Sequence, residues 1–379
     1  MKDSKKFFQF VLFVAICGVG GFLLSLTGLS IGWMIGTLLF ATFLSLQRPK
    51  FIKLPDQVKG IPTYWLHIGQ CILGIELGQK MNSSVLFTFK ENWLMIITML
   101  LLSIAFSLLS GLVLWKYSKL SMVTSFFATA PGGMSTIPAI AEEVGANTGI
   151  VSIIQTVRVF LVILTIPVIL SAWFGSHSNA ADNPIVVSST QIHFGPQQIL
   201  WTFVLLVVAI LGHYVGRFLK FPAPWLLGSM VNVAILESSA SLFFGYEIIA
   251  WWPHESMVFS QIFIGACIGS RFHRSMFTGL VRTLSISSLC TLGFIASMFL
   301  CAWIVSEITG ISFITSALAF APGGIAEMTT SAIVLHADST FVVAVQVLRV
   351  IAVCMILPPF FRLLHYWELK KNTQTETSA

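Results

Sequence analysis

Long apolar runs, separated by short polar segments, follow one another along the whole chain of 379 residues. A helix that crosses the hydrocarbon core of a bilayer needs roughly 20 mostly apolar residues, and many of the runs approach that length. The pattern predicts hydrophobic helical elements in two sets of six. The first set lies near 7–26, 31–46, 61–79, 92–115, 118–141 and 148–172, and the second near 197–216, 223–240, 254–270, 283–306, 311–335 and 339–364.

The two sets repeat one another in sequence. A segment that ends in Ala-Pro-Gly-Gly occurs at 124–133 and again at 315–324, an offset of 191 residues (315 − 124). Chance matches would scatter over many offsets, so the shared offset indicates an internal duplication. Further pairs at this offset are Gln155 with Gln346, Arg158 with Arg349, and Gly74 with Gly265. The duplication predicts a first membrane repeat at 1–172, a linker at 173–195, a second repeat at 196–366 and a tail at 367–379.

Composition excludes a soluble protein. Hydrophobic residues make up 56% of the chain and charged residues only 9%. Soluble domains contain about one quarter charged residues, so this chain lacks the polar side chains that would cover a surface facing water. The sequence therefore predicts an all-α integral membrane protein whose first partner is the lipid bilayer.

The distribution of lysine and arginine predicts the orientation of the repeats, because these residues stay on the cytoplasmic side of a membrane. If the elements at 118–141 and 311–335 cross fully, the two halves are parallel. If each enters and leaves by the same face, the halves are inverted. Of the 19 basic residues outside the spans, the inverted arrangement places 17 in the cytoplasm and the parallel arrangement 12.

The charge count therefore predicts two inverted-topology repeats, each of about five transmembrane helices plus one broken or re-entrant helix. Both termini are expected in the cytoplasm and the linker outside, with the chain in the plasma (inner) membrane. The net charge of +6 then reflects basic loops beside anionic lipid, not a surface for nucleic acid.

The doubled Pro-Gly-Gly sequence is the first candidate for a binding site. Proline removes one helical hydrogen bond, and two glycines let the chain turn or unwind. Inside a membrane such a break is tolerated only against protein or a water-filled cavity. Two breaks that meet near the midplane resemble the substrate sites of secondary transporters. The candidate residues are Pro131, Gly132, Gly133, Pro322, Gly323 and Gly324, with the nearby hydroxyls of Thr124, Ser125, Ser135, Thr315 and Ser316.

Each broken element is followed by a Gln-x-x-Arg helix, which carries Gln155 and Arg158 in one repeat and Gln346 and Arg349 in the other. The spacing places each pair on one helical face. An arginine at this depth costs about 2.5 kcal/mol or more, so it should face the protein interior with a partner. Two roles remain open: an anchor for an anion or for the carbonyls of a broken helix, and a structural strut.

Glu327 breaks the repeat, because the first half has Thr136 at that position. An acid at membrane depth is a candidate proton carrier or cation ligand. A salt bridge to Arg349 is the structural alternative.

The sequence lacks the residue patterns that enzymes and nucleic-acid-binding proteins use. The sequence contains no clustered metal ligands, nucleotide-binding loop or Ser-His-Asp arrangement, and no recognition helix for nucleic acid. We therefore expect no enzyme, no metal, no cofactor and no nucleic-acid partner.

The two Ala-Pro-Gly-Gly segments, each followed by Gln-x-x-Arg, resemble the AbrB-like membrane protein family over about 350 residues. That family is described as a duplicated membrane domain and carries the labels "transcriptional regulator" and "putative ammonia monooxygenase". It is also similar, distantly, to the cation/proton antiporter and anion transporter superfamily. The resemblance implies secondary transport by discontinuous helices, and by analogy a homodimer.

Together these observations predict a secondary transporter of a small solute, with anions as the first candidates, coupled to H⁺ or Na⁺. The alternative is a membrane-embedded regulator or sensor that affects gene expression without transport.

Overall fold

The fold was analysed in a computed structural model that describes residues 2–29, 31–47, 60–81, 84–131, 137, 141, 146–175, 196–221, 223–244, 253, 255–353, 355–356 and 360. Within these ranges the regular secondary structure is entirely helical.

The helices are numbered here in chain order. In the first half they are α1 (Lys2–Ser25), α2 (Gly32–Gln47), α3 (Tyr64–Gln79), α4 (Ser84–Tyr117), α5 (Met122–Thr129) and α6 (Thr148–Gly175). In the second half they are α7 (Pro196–Phe218), α8 (Pro224–Phe244), α9 (Glu255–Gly269), α10 (Val281–Thr309), α11 (Phe313–Phe320), α12 (Ile325–Val334) and α13 (Ser339–Val353). A short 3-10 helix (Arg274–Phe277) precedes α10.

Five of these helices are long and apolar enough to cross a bilayer; the apolar stretches are Phe7–Ser25, Lys90–Tyr117, Thr148–Ala172, Gln198–Phe218 and Val281–Thr309. Helix α7 shows why they need lipid, since its outward side chains include Phe203, Leu211 and Phe218 at 66%, 57% and 86% exposure. Water-soluble proteins rarely expose a continuous apolar face of this kind. The chain is therefore an all-helical, multi-pass membrane protein.

The chain forms two compact units, and each draws segments from both halves of the sequence. The first unit contains Met1–Val85, Pro167–His273 and Thr329–Thr340, and the second contains Leu86–Ile166, Arg274–Met328 and Phe341–Ala379.

Glycines allow the backbones of the first unit to approach closely. A Cβ on Gly36 of α2 would meet the carbonyl oxygen of Gly20 on α1, and a Cβ on Gly228 of α8 would meet that of Gly212 on α7. Such small-residue contacts replace the hydrophobic effect as the force between helices in a membrane. They join α1 to α2 and α7 to α8.

Helices α3 and α9 also contact each other within the first unit. The Ser260 hydroxyl on α9 donates to the carbonyl of Gly69 on α3 at 2.8 Å. Just before α3, the Ile61 amide donates to the hydroxyl of Ser270 at 3.0 Å, and Ser270 follows directly after α9. The start of α3 therefore lies beside the end of α9.

In the second unit α4, α5, α6 and α10 share a hydrophobic core that includes Ile104, Phe127, Ile154 and Leu284. Helix α4 is locally non-helical at Asn92, where φ is −108° and ψ is 16°. Its apolar part begins close to that residue, so the predicted span at 92–115 covers the membrane-length portion of a longer helix. Hydropathy detects apolar length and does not register the more polar turns at the start of α4.

The predicted element at 311–335 is interrupted. Helix α11 ends at Phe320 and α12 begins at Ile325, with the Ala-Pro-Gly-Gly sequence between them. In the first half α5 ends at Thr129, directly before the same four residues. Of those four, Gly132 and Gly133 lie outside the described residues, as does Ser135.

Candidate functional site

Helices α5 and α11 begin with the same capping arrangement. The Ser121 hydroxyl accepts a hydrogen bond from the Thr124 amide, and the Ser312 hydroxyl accepts one from the Thr315 amide, both at 3.3 Å. A serine at this position satisfies one of the free amides of the first helical turn. Both threonines were predicted as binding residues, and the structure places them in these caps.

Their neighbours Ser125 and Ser316 differ from each other. The Ser125 hydroxyl donates to the carbonyl of Ser121 at 3.0 Å. The Ser316 hydroxyl is buried and has no hydrogen-bond partner among the described residues. The two equivalent serines therefore differ in how their hydroxyls are satisfied.

The end of α5 is held by side chains from α6. The Gln155 amide donates to the carbonyl of Phe127 at 3.0 Å, and Arg158 Nη1 donates to the carbonyls of Thr129 and Ala130 at 3.1 and 2.7 Å. The last carbonyls of a helix have no partner within the helix and form the negative end of its dipole. Gln155 and Arg158 therefore cap the end of α5 in the interior of the protein.

The end of α11 is held in the same way by α13. The Gln346 amide donates to the carbonyls of Leu318 and Ala321 at 2.8 and 3.1 Å. Arg349 Nη1 donates to the carbonyl of Ala321, and Nη2 donates to that of Gly323 at 2.6 Å. Arg349 thus spreads two nitrogens across the unwound segment; toward the described residues, which do not include Gly132, Arg158 uses one.

All four capping side chains are buried, and the arginines are only 4% and 3% exposed at positions 158 and 349. Both guanidinium groups lie in the second unit. The salt bridge between Arg349 and Glu327 stays a prediction from the sequence. The observed partners are backbone carbonyls.

Glu327 lies in the first turn of α12 and is 8% exposed. Its carboxylate packs against Gly324, where a Cβ would overlap its oxygen. A negative charge at this end of a helix is favoured by the helix dipole. The structure thus places Glu327 beside the Pro-Gly-Gly segment of the second repeat, where Pro322 and Gly323 are also buried.

Several capping groups have hydrogen-bonding capacity left over. The unpartnered buried atoms include Oε1 of both glutamines, Gln155 and Gln346, and Nε of both arginines, Arg158 and Arg349. Buried polar groups in native proteins are nearly always satisfied, by protein or by bound molecules. Each broken end therefore offers one donor and one acceptor beyond its capping bonds.

Residues that the sequence did not single out complete the first of these ends. The Ser107 hydroxyl on α4 donates to the carbonyl of Thr129 at 2.8 Å, and Thr129 Oγ1 donates back to the carbonyl of Ser107 at 3.2 Å. The sequence signal that could have indicated this contact is the presence of serine and threonine inside apolar runs. Serine and threonine are common in membrane helices, however, so their presence alone does not identify this contact.

Within the described residues, no group of three or more His, Cys, Asp or Glu side chains is placed to hold a metal ion.

The fold and these contacts define the class: a helical membrane protein in which two interrupted helices end inside the protein on buried Gln-x-x-Arg pairs. Comparison with known sequences gives the family. The profile described as "Transition state regulatory protein AbrB" matches residues 33–365, and the chain belongs to this AbrB family.

Two relatives match along nearly their whole length. "Uncharacterized protein YhjN" of Bacillus subtilis (strain 168) is 51% identical over 373 residues, which are 98% of this chain and 97% of the relative. "Putative regulator AbrB" of Escherichia coli (strain K12) is 26% identical over 350 residues, which are 89% and 97% of the two chains.

Proposed function

We propose that this protein is a secondary transporter of a small solute, with anions as the first candidates, driven by a coupled flow of H⁺ or Na⁺. The observation that carries the proposal is the pair of broken helices, α5 and α11, whose ends are capped by buried arginines. A folded chain retains such breaks and buried charges at a cost, and in membrane proteins they mark the paths of ions and solutes.

The second broken element provides both kinds of helix terminus. Helix α11 ends at Phe320, where Gln346 and Arg349 already bind its last carbonyls. Helix α12 begins at Ile325 and presents amides, which attract anions. Glu327, in the first turn of α12, adds a carboxylate beside these termini. We assign solute binding to this segment and coupling to Glu327. The equivalent segment of the first repeat contributes Pro131, Gly132, Gly133 and Ser135.

The proposal includes inverted repeats, and the packing of α3 on α9 supports them. These helices contain the related residues Gly74 and Gly265, yet the start of α3 lies beside Ser270 at the end of α9. Helices α3 and α9 therefore run in opposite directions, and inverted repeats require this of two equivalent helices. The repeats would occupy 1–172 and 196–366, in the plasma membrane with cytoplasmic termini, and we further propose a homodimer.

Reconstitution into liposomes tests the proposal. Purified protein should take up one or more members of a panel of small carboxylates and inorganic anions when an inward H⁺ or Na⁺ gradient is imposed. Arg349→Ala should abolish this uptake because it releases the carbonyls of Ala321 and Gly323. Uptake equal to that of protein-free liposomes across the panel, under both gradients, would contradict transport.

A regulator is the second candidate, because both the family description and the Escherichia coli relative carry that word. It would act through a cytoplasmic partner. Cross-linking in cells should then capture a stable regulatory protein. Deletion of the gene should change expression, and the Arg349→Ala variant, which lacks transport, should restore it.

A further inference from the structure

A small cavity lies beside Arg158 in the second unit, and its volume is about 10 Å³. Helices α4, α5, α6 and α10 surround it, and its polar lining includes Ser110, Thr129, Ser287 and Thr291. This volume lies at the lower limit of roughly 10–15 Å³ that a single water needs, so the space admits at most one small particle. A carboxylate solute is too large for it.

The groups around this cavity that can still donate a hydrogen bond are few and well defined. The hydroxyls of Ser110 and Thr291 already donate to the carbonyls of Phe106 and Ser287, both at 2.9 Å. Arg158 Nε is buried without a partner. The Ser287 hydroxyl, on a residue only 3% exposed, makes no side-chain hydrogen bond within the described residues. Besides the Cys290 thiol, which is a weak donor, the cavity thus presents one charged donor and one hydroxyl donor.

Charge decides between a neutral and an anionic occupant. The buried charged residues of the described chain are two arginines, Arg158 and Arg349, and one acid, Glu327. Backbone carbonyls satisfy Nη1 of Arg158 but supply only partial charges, and none of the described residues that line the cavity is acidic. A buried cation without a full counter-charge is expensive. One monovalent anion would balance the excess positive charge.

The sequence repeat shows that this polarity is specific to the first broken end. At the offset of 191, Ser287 and Thr291 of α10 correspond to Ile96 and Leu100 of α4. Both α4 residues are buried and apolar, at 2% and 7% exposure. Helix α10 thus has hydroxyl side chains beside Arg158, whereas α4 has apolar side chains at the equivalent positions.

We propose that this cavity binds a single small inorganic anion of the halide class, such as chloride, as a counter-ion to Arg158. The Ser287 hydroxyl and Arg158 Nε donate to it. The site differs from the solute-binding segment at Pro322–Gly324, and it does not depend on transport.

Thermal unfolding in detergent tests the site without any solute or gradient. Wild-type protein is titrated with sodium chloride or sodium bromide against sodium gluconate, whose anion is too large for the cavity, at constant sodium concentration. The unfolding midpoint should rise with either halide and saturate. A midpoint that is the same in all three salts would overturn the proposal.

Variants on α10 locate the site. Ser287→Ala should weaken the apparent halide affinity about tenfold, as the loss of one hydrogen bond to a charged ligand does. Ser287→Ile, which installs the residue of the repeat, should remove the halide effect. Ser297→Ala is the matched control. The Ser297 hydroxyl, also on α10, donates to the carbonyl of Gly293 at 2.9 Å, and Ser297 does not line the cavity.

An unchanged halide response in Ser287→Ile would overturn the site, whether or not the protein transports a solute. Conversely, a response that Ser287→Ile removes would stand even if no solute in the liposome panel were taken up. Crystals grown in sodium bromide provide a direct readout, since anomalous density should lie within hydrogen-bond distance of Arg158 Nε.

Discussion

At the scale of the residue, the two buried arginines both donate to backbone carbonyls at the end of a helix, but with different geometry. Among the described residues, Arg158 bonds two carbonyls through one nitrogen, whereas Arg349 bonds two carbonyls through two nitrogens. Lysine has a single ammonium group and cannot reproduce a two-nitrogen fork. The two positions should therefore respond unequally to the same substitution.

Arg349→Lys should destabilise the protein by about 1–3 kcal/mol, because a buried carbonyl of the unwound segment loses its donor. Arg158→Lys should cost less, since one nitrogen already serves both of its carbonyls. Unfolding of the two variants in mild detergent, by titration with sodium dodecyl sulfate, compares them directly. A larger loss at Arg158 would contradict the roles assigned here.

Sequence reasoning predicted that these arginines face the interior, and it could not choose their partner. Depth in the membrane follows from position in an apolar run, which the sequence shows. The partner is a backbone carbonyl 28 residues earlier for both Arg158 and Arg349, and every residue carries a carbonyl. Only the geometry of the broken helix makes particular carbonyls available.

At the scale of the element, glycine contacts fix the helix pairs of the first unit. Gly228→Ala would push a methyl group into the carbonyl of Gly212 and should destabilise the protein by about 1–3 kcal/mol through overpacking. Gly293 on α10 is the control, because a Cβ there meets no atom within 4 Å. Gly293→Ala should leave stability unchanged or raise it by up to about 1 kcal/mol. Equal effects of the two substitutions in the same detergent assay would refute this packing.

Element boundaries were predicted well where hydrophobicity sets them and poorly where polarity or chain breaks do. The prediction of 31–46 agrees with α2, at Gly32–Gln47. Helix α4 begins at Ser84 instead of 92, because its first turns extend beyond the apolar run. In the element at 311–335, proline and two glycines indicated a break, but the turns on each side are apolar and conceal where α11 ends.

At the scale of the whole molecule, the two units do not follow the order of the two predicted repeats. Duplication in a sequence shows which residues correspond, but not which surfaces pack together. Each unit contains segments from both sides of 173–195. Inversion and membrane orientation remain predictions that rest on the charge count and on the direction of α3 against α9.

Lys220, exposed just after α7, tests the orientation. Lys220→Cys, in protein whose native cysteines are replaced, should react with a membrane-impermeant maleimide only from the cytoplasmic side, because inverted repeats place this loop inside. Gly195→Cys in the linker is the reference and should react only from outside. Labelling of Lys220→Cys from outside would indicate parallel halves.

The central claim is that Glu327, beside the break between α11 and α12, couples an ion gradient to movement of a solute. Its most direct test compares gradient-driven accumulation with solute exchange in liposomes that contain Glu327→Gln. The control is Glu255→Gln, because Glu255 also lies in the first turn of its helix but is exposed. The Glu327→Gln variant should lose gradient-driven accumulation of solute, while the Glu255→Gln variant should keep it. Accumulation by Glu327→Gln at the wild-type level would contradict the claim.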